Sequence, residues 1–393
     1  MTVVTNLLAG PALGAGAESY AHHQQRVGRL PDAAGLIDRL ERSGLRGRGG
    51  AGFPVATKWR SIRSHRSGGA PVILANGCEG EPLSQKDRLL MATRPHLVLD
   101  GAFLARRALR AGKVLIAIAD DLGEARSAMA AALAERSPAE QRVAELIGAP
   151  ARYVSGESSA LAHFADSGIG VPTAVPPRPH EKGVDGAPTL VQNVESLAHV
   201  ALIARGSTTP SLLLTAHGGA GRSEVLEVVT GTRLGAALEA AGASRERARA
   251  VLLGGYFGSW VLASEAWDLP LDPVQLRARG VSLGAGVLAV LTVEGCPVCE
   301  TASIMRYLAG ESSAQCGPCY FGLRAIAGAC ERIQAGRPEP GELARLQRWA
   351  GEVRGRGACH HPDGAVGLLA SALDRFGPEF DQHRPHHPHG NVG

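Results

Sequence analysis

"GLRGRGGAGFPVATKW", residues 44–59, sets five glycines and two arginines within sixteen positions and ends on Lys58-Trp59. Three structures suit such a stretch: a phosphate cradle, an arginine–glycine patch for RNA, or an elaborate turn. Glycines let backbone N–H groups close on a ligand, and a helix starting behind them adds a dipole that favours an anion. The stretch is not a Walker loop, since no Gly-Lys-Ser/Thr follows, and it is not the spaced dinucleotide fingerprint. RNA-binding arginine–glycine segments work as repeated low-complexity arrays, whereas this motif occurs once and runs straight into Phe53-Pro54 and an expected strand. The stretch therefore reads first as a phosphate cradle, with Lys58 adding a charge to the phosphate or to an electron-rich ring.

Working outward, "APVILANG" (70–77) and "KVLIAIADD" (113–121) are short apolar runs closed by Asn, Gly or Asp. Helical patterns lie between and after them, in "PHLVLDGAFLARRALRAG" (95–112) and "LGEARSAMAAALAER" (122–136). This alternation predicts an α/β domain with a mainly parallel sheet covered by helices. A helix over about 32–42 should deliver the chain to the glycine loop. Loops and brief extended stretches are expected after 136, then a helix near 190–204 with Gln192 and Asn193 in its first turn. From about Ser223 the segments shorten into a mixed α+β module rich in turns. Beyond Glu300 the pattern is helical, over 300–309, 317–335, 341–354 and 364–376. The tail "QHRPHHPHG" is polar and broken by prolines, and is expected to be disordered.

A chain of 393 residues suggests two or three domains, and 45% hydrophobic against 20% charged residues suits a folded core. The net charge of +4 is too mild to make nucleic acid the main partner. No apolar run is long enough to span a membrane, and the first residues lack the basic start of a signal peptide, so a cytoplasmic location is expected. Six of the seven cysteines fall between 296 and 359, which points to metal or redox chemistry rather than a disulfide framework. Cys296-x-x-Cys299 and Cys316-x-x-Cys319 also have the spacing of a zinc site, while Cys330 reads as a buried, inert thiol.

Three further stretches bear on the glycine loop. "ILANGCEGEPLSQKDRLLMATRPHLVLDGA" (73–102) ends a strand at Asn76 and places Glu79 and Glu81 at the carboxyl edge of the sheet, where open α/β sheets bind ligands. A solvated acidic turn is an equal reading of it. "ARYVSGESSALAHF" (151–164) offers Tyr153, Gly156 and Glu157, and "PTLVQNVESLAHV" (188–200) offers Gln192 and Asn193. In this order the four stretches resemble the flavin- and NADH-binding subunit of respiratory complex I and its relatives in bidirectional hydrogenases and formate dehydrogenases. The similarity runs from roughly Leu30 to Phe380. "MRYLAGESSAQCGPC" (305–319) resembles that family's cluster-binding segment, and 223–275 resembles its ubiquitin-like insert.

The resemblance implies a Rossmann-like FMN-binding α/β domain over 1–215 and a β-grasp, SLBB-like domain over 216–290. A helical iron–sulfur domain over 291–380 and a disordered tail over 381–393 complete the expected order. It implies FMN contacts from Gly47, Arg48, Gly49, Lys58, Asn76, Glu79, Tyr153, Glu157 and Asn193, keeps Phe53 as a further cofactor-binding residue, and makes Glu81 and Glu157 the catalytic residues. It implies a four-iron or three-iron cluster on Cys316, Cys319 and Cys359, with Ser313 standing where the family has its first cysteine ligand. Electrons would pass from a nicotinamide cofactor such as NADH through FMN to the cluster, then to a ferredoxin or another electron-transfer subunit. Several positions depart from the family. Cys78 replaces an Asp, Ser158 an acid, and Ser61 an aromatic, while Val175 and Arg178 stand where a Lys and a Phe usually help hold NADH. Two alternatives follow: an FMN electron-transfer partner that no longer oxidises NADH efficiently, or a zinc-binding, non-enzymatic relative.

Overall fold

The computed structural model describes residues 7–65, 69–208, 210–219 and 221–384. The described residues up to 213, with 227–229, form one compact unit; residues 214–226 and those from 230 onward form a second.

The first unit is built on four parallel strands, β1 (Val72–Gly77), β2 (Lys113–Ala119), β3 (Ala144–Ala149) and β4 (Thr189–Asn193), in the order β3-β2-β1-β4. A parallel sheet must be covered on both faces, and its central strands are accordingly apolar throughout rather than alternating. Ile73, Ala75, Val114, Ile116 and Ile118 face one cluster with residues of the helices Val55–Ser64, Pro95–Leu109 and Val194–Ala204. Val72, Leu74, Leu115 and Ala117 face another with Leu161, Ala162 and Val184. Helix Pro95–Leu109 begins on a proline at its first turn, where the missing N–H is harmless, and ends at Arg110 with φ 54°. At Gly101 it crosses helix Val194–Ala204 so closely that a Cβ would lie 1.9 Å from the Leu197 carbonyl oxygen.

Three expectations need correction here. The strand expected directly after Phe53-Pro54 is the helix Val55–Ser64, and the stretch after 136, expected as loops and brief extended chain, holds the edge strand β3 but also the helix Ser158–Ser167. Gln192 and Asn193 are not in the first turn of a helix: Gln192 lies in β4, and Asn193 ends β4 and caps the helix that follows. The side chain of Asn193 accepts from the N–H groups of Glu195 (3.0 Å) and Ser196 (3.4 Å), so the strand-to-helix switch falls on that residue.

The second unit carries a five-stranded sheet of β5 (Leu212–Gly219), β6 (Arg222–Val228), β7 (Ala248–Leu253), β8 (Ser259–Leu262) and β9 (Val287–Thr292). Its order is β6-β5-β9-β7-β8, with β9 parallel to β5 and antiparallel to β7. The last strand inserted centrally beside the first, with helix Leu234–Ala240 between the two hairpins, is the arrangement expected of a β-grasp. Helices Pro297–Gly310, Arg324–Gln334, Glu342–Val353 and His361–Gln382 follow. Asp381 and Gln382, assigned to the tail from sequence, complete the last of these helices, and His383 and Arg384 follow it; residues 385–393 of the expected tail lie outside the described residues. No described helix is long and apolar enough to cross a membrane.

Candidate functional site

In the first unit the chain runs β1, β2, β3 outward and then returns to the other side of β1 with β4. The strand order reverses there, and the carboxyl ends of β1 and β4 flank the crevice where open α/β sheets bind ligands. Asn76, next to last in β1, and Asn193, last in β4, are register partners. The Asn76 amide donates to the Gly156 carbonyl (2.8 Å) and its oxygen accepts from the Cys78 N–H (3.1 Å), tying the end of β1 to the 153–157 segment. The Asn193 amide donates to Asp87 (2.7 Å).

The glycine loop lies against this edge. It is pinched at its base, where the Gly47 N–H donates to the Phe53 carbonyl (2.9 Å) and the Val55 N–H to the Leu45 carbonyl (3.0 Å). A Cβ at Gly49 would meet the Asn193 Cβ at 3.3 Å, and Gly50 and Gly52 have φ of 99° and 61°, a region that favours glycine. Among the described residues the N–H groups of Gly49 and Gly50 have no protein acceptor, so the loop offers two adjacent donors. Phe53 stands at its end, 54% exposed.

Lys58 reaches the same edge from helix Val55–Ser64 and donates to the Val191 carbonyl of β4. Burial pushes its ammonium down to about 8, with the nearby Glu157 pulling partly the other way. Glu157 caps helix Ser158–Ser167, accepting from the N–H groups of Ser159 (2.8 Å) and Ala160 (3.0 Å). Glu81 is buried and accepts from the Tyr153 hydroxyl (3.1 Å). His180 packs edge-on against His65 at 6.0 Å. Burial holds its imidazole below the ordinary range, with Lys58 among the cations that add to the effect. The segment holding Arg178 and His180 thus comes within electrostatic reach of Lys58.

Two of the residues expected at FMN also hold the protein itself together. The Arg48 guanidinium donates to the Ser211 carbonyl (2.8 Å) and lies 3.6 Å from Glu195, while its N–H donates to the Ser196 hydroxyl (2.8 Å). Arg48 anchors the loop from below. Glu79 accepts from the Ser84 hydroxyl (2.7 Å), the N–H groups of Asp87 (2.9 Å) and Arg88 (3.0 Å), and the Arg88 side chain (3.0 Å). Its carboxylate caps helix Lys86–Thr93.

Sequence reasoning missed what lies beneath. Lys86, Asp87 and Glu195 form a buried ionic triad, with Lys86 Nζ at 2.7 Å from Asp87 and 2.8 Å from Glu195. Burial raises Asp87 to about 6 despite Lys86, whereas Lys86, His199 and Arg48 outweigh burial and hold Glu195 at about 2. Asp87 holds Asn193, and Glu195 accepts from the Leu213 N–H (3.1 Å), so the triad fixes the floor of the site. Lys86 and Asp87 stand in the quoted motif, but nothing in their spacing shows that their partner is more than a hundred residues away.

The second unit gathers the expected cluster cysteines. Cys319 lies in a π-helical turn, Pro318–Leu323, and is buried. Burial pushes its thiol up to about 12, opposed by a hydrogen bond from Ser312 and reinforced by the neighbouring Cys316 and Cys359. The three thiols therefore share one locality. The hydroxyl bonded to Cys319 belongs to Ser312, not to Ser313, which is half-buried beside it. Three soft thiol donors suit a cluster, with a hydroxyl at hand where a fourth cysteine is missing.

Comparison with known proteins converges on these two sites. The Nuo51 FMN-binding domain matches residues 40–202, and the NADH-ubiquinone oxidoreductase-F iron-sulfur binding region matches 300–383. The F subunit of the Salmonella typhimurium NADH-quinone oxidoreductase is 30% identical over 383 residues, covering 90% of this chain and 85% of that relative. Its Escherichia coli counterpart gives the same identity and coverage, and that of Streptomyces coelicolor is 28% identical over 390 residues. Among solved structures, an NAD+-reducing NiFe-hydrogenase in its H2-reduced state superposes with a TM-score of 0.79 at 30% identity over 91% of this chain. This chain spans 64% of the length of that hydrogenase chain. Both family models and this extent of identity place the chain in the family of NADH-quinone oxidoreductase F subunits.

Proposed function

We propose that the chain is an FMN oxidoreductase that takes electrons from a nicotinamide cofactor and passes them to an iron–sulfur cluster and then to a protein acceptor. The observation that carries this reading is the glycine loop seated on Asn193 at the β1–β4 switch point, with two unpaired N–H donors and the half-buried Lys58 beside it. These donors and this cation suit a phosphate, and the asparagine-lined edge suits the hydrogen-bonding rim of a flavin. Bound FMN would supply the conversion between two-electron transfer from a nicotinamide and one-electron transfer to a cluster.

The chain's own residues bind and orient. Gly49, Gly50 and Lys58 hold the phosphate, while Gly47 closes the loop and Arg48 anchors it. Asn76, Asn193 and Glu79 set the rim, and Glu79 also holds the first turn of the helix that carries Lys86 and Asp87. Phe53 offers an exposed ring for stacking the nicotinamide. Glu81, held by Tyr153, and Glu157 are the carboxylates of the hydride-transfer side. Cys316, Cys319 and Cys359 hold the cluster, with Ser312 or Ser313 at the remaining position. The acceptor is a ferredoxin or another electron-transfer subunit, and the location is cytoplasmic.

Reconstitution tests this reading. Heat-released flavin should be FMN at close to one per chain, and anaerobic protein should be coloured by flavin and cluster. A colourless chain that takes up no FMN would overturn it. A second reading, in which NADH is a poor donor, is favoured by Val175, which is exposed where the family has a lysine. Losing two or three contacts of about 1 kcal/mol each weakens a complex roughly 10- to 100-fold. Anaerobic titration with NADH separates the two, because full bleaching at micromolar NADH belongs only to the first.

A further inference from the structure

Cys296 and Cys299 are unused by the cluster just described. Cys299 has Cys296 as its sulfur neighbour, whereas Cys319 has Cys316 and Cys359. Both precede the matched iron–sulfur region, which begins at residue 300. Cys296 caps helix Pro297–Gly310, its sulfur accepting from the Cys299 N–H at 3.1 Å, so the two thiols open one helical turn. The third member arrives from the far end of the chain. His383 follows helix His361–Gln382, and its ring nitrogen and the two sulfurs all lie within 4.8 Å of one another.

We propose that Cys296, Cys299 and His383 form a second metal site, for one zinc-class divalent cation. Zinc bonds to thiolate sulfur at about 2.3 Å and to imidazole nitrogen at about 2.0–2.1 Å, so tetrahedral ligand atoms stand roughly 3.5–3.8 Å apart. Atoms already within 4.8 Å reach that spacing by side-chain adjustment alone. A Cys-x-x-Cys pair at a helix start with a histidine from elsewhere is a zinc-type donor set, too few in sulfur for a second cluster. The His383 Nε2 lies 3.1 Å from the Gln334 carbonyl. A backbone carbonyl on one ring nitrogen fixes the ring and its tautomer, as outer-shell carbonyls do for metal-bound histidines. Binding releases the two thiol protons to solvent, forms two metal–sulfur bonds and one metal–nitrogen bond, and leaves a fourth position for water. The ion would pin residue 383 to the start of helix Pro297–Gly310 and the end of helix Arg324–Gln334.

Full-length protein, prepared anaerobically with its iron and sulfide restored, is stripped with a chelator of moderate strength and titrated with Co2+ and then Zn2+. One equivalent of Co2+ should bind with the sulfur-to-metal charge transfer and intense visible bands of a tetrahedral thiolate site, and Zn2+ should displace it. Cys296→Ser should abolish that spectrum without lowering iron content. His383→Ala should weaken Co2+ binding by 10-fold or more, and because it lies beyond the last helix it keeps the test valid if the cysteine variant fails to fold. Cys316→Ser should leave the Co2+ spectrum intact, which separates this site from the cluster. Replacing His386, His387 and His389 together with Ala should also leave it intact. Co2+ binding that vanishes with the tail histidines, or that survives both Cys296→Ser and His383→Ala, would overturn the proposal. So would a Cys296–Cys299 disulfide in anaerobic protein that takes up no metal.

Discussion

Around the glycine loop of the first unit, the carboxylates of Glu79, Glu81, Asp87, Glu157 and Glu195 all have protein donors or cations beside them before any ligand arrives. Around Cys319 of the second unit the neighbours are thiols, Cys316 and Cys359, with the Ser312 hydroxyl, and these neighbours, with burial, set the thiol's acidity. The first site is preorganised: its polar groups fix one another, and a ligand meets donors already aimed. The second has the character of an incomplete shell, whose order depends on what binds. A preorganised site should tolerate loss of its cofactor and fail when its supports are cut. An incomplete one should do the reverse.

The strongest way to break this contrast is to cut the buried triad. Lys86→Ala leaves Asp87 and Glu195 facing each other without their shared cation, and breaking a buried ion pair from one side typically costs about 3–5 kcal/mol. Thermal unfolding of the apo-protein should show the first unit melting far earlier, with FMN uptake lost as a result. An unchanged melt would mean that the triad is not a support.

Next in size is Lys58. Lys58→Ala should weaken FMN retention by roughly 10- to 100-fold, the value of a charged hydrogen bond of about 1.5–3 kcal/mol, measured by flavin fluorescence on titration. The pH dependence has a definite sign. The folded apo-protein holds Lys58 at about 8 against an ordinary 10.5, so between these values the unfolded chain binds the extra proton. The contribution of Lys58 to apo stability therefore rises with pH across that window. A bound phosphate favours the ammonium, so FMN affinity should fall as pH rises through about 8. A flat affinity profile from pH 7 to 10 would place the phosphate elsewhere.

These two effects also show what a reader of the sequence can and cannot see. The glycine loop, β1 and β2 are legible because each is a continuous local signal of glycines or apolar residues. Strand β4 is not, because "TLVQN" runs without a break into the apolar helix "VESLAHVALIA", and the helical period absorbs five extended residues. Asn193 was the available signal, since asparagine before an apolar run is a good N-cap. The triad and the Arg48–Glu195 pair are tertiary facts between positions far apart in the chain, with no local pattern to betray them. At the cluster, the family resemblance points to Ser313, while the hydroxyl that acts on the Cys319 thiol is that of Ser312.

That last difference can be sharpened. Ser313→Cys should increase the iron and sulfide retained after air exposure, toward four of each per chain, because a fourth thiolate completes the shell. If Ser312→Cys restores more iron than Ser313→Cys, the fourth ligand position is the one the fold indicates. The smallest effect is expected at Phe53. Its ring is largely exposed, so Phe53→Ala should change apo stability by about 0.5 kcal/mol or less, yet weaken stacking of a nicotinamide by about 0.5–1.5 kcal/mol, a roughly 2- to 10-fold change in the NADH titration.

The close crossing at Gly101 bears on how electrons would leave this molecule. Helix Val194–Ala204 carries the Asn193 cap at its start, and where it passes helix Pro95–Leu109 there is no space for even a methyl group. Packed interiors of this density resist displacement. With FMN bound as proposed, a change of charge at the β1–β4 edge would not be met by sliding that helix, and the dipoles around Asn193 would keep their orientation in both redox states. Little nuclear rearrangement would then accompany each electron, which lowers the barrier to transfer in both directions. The speed of the site would rest on a residue that has no side chain and no contact with the cofactor.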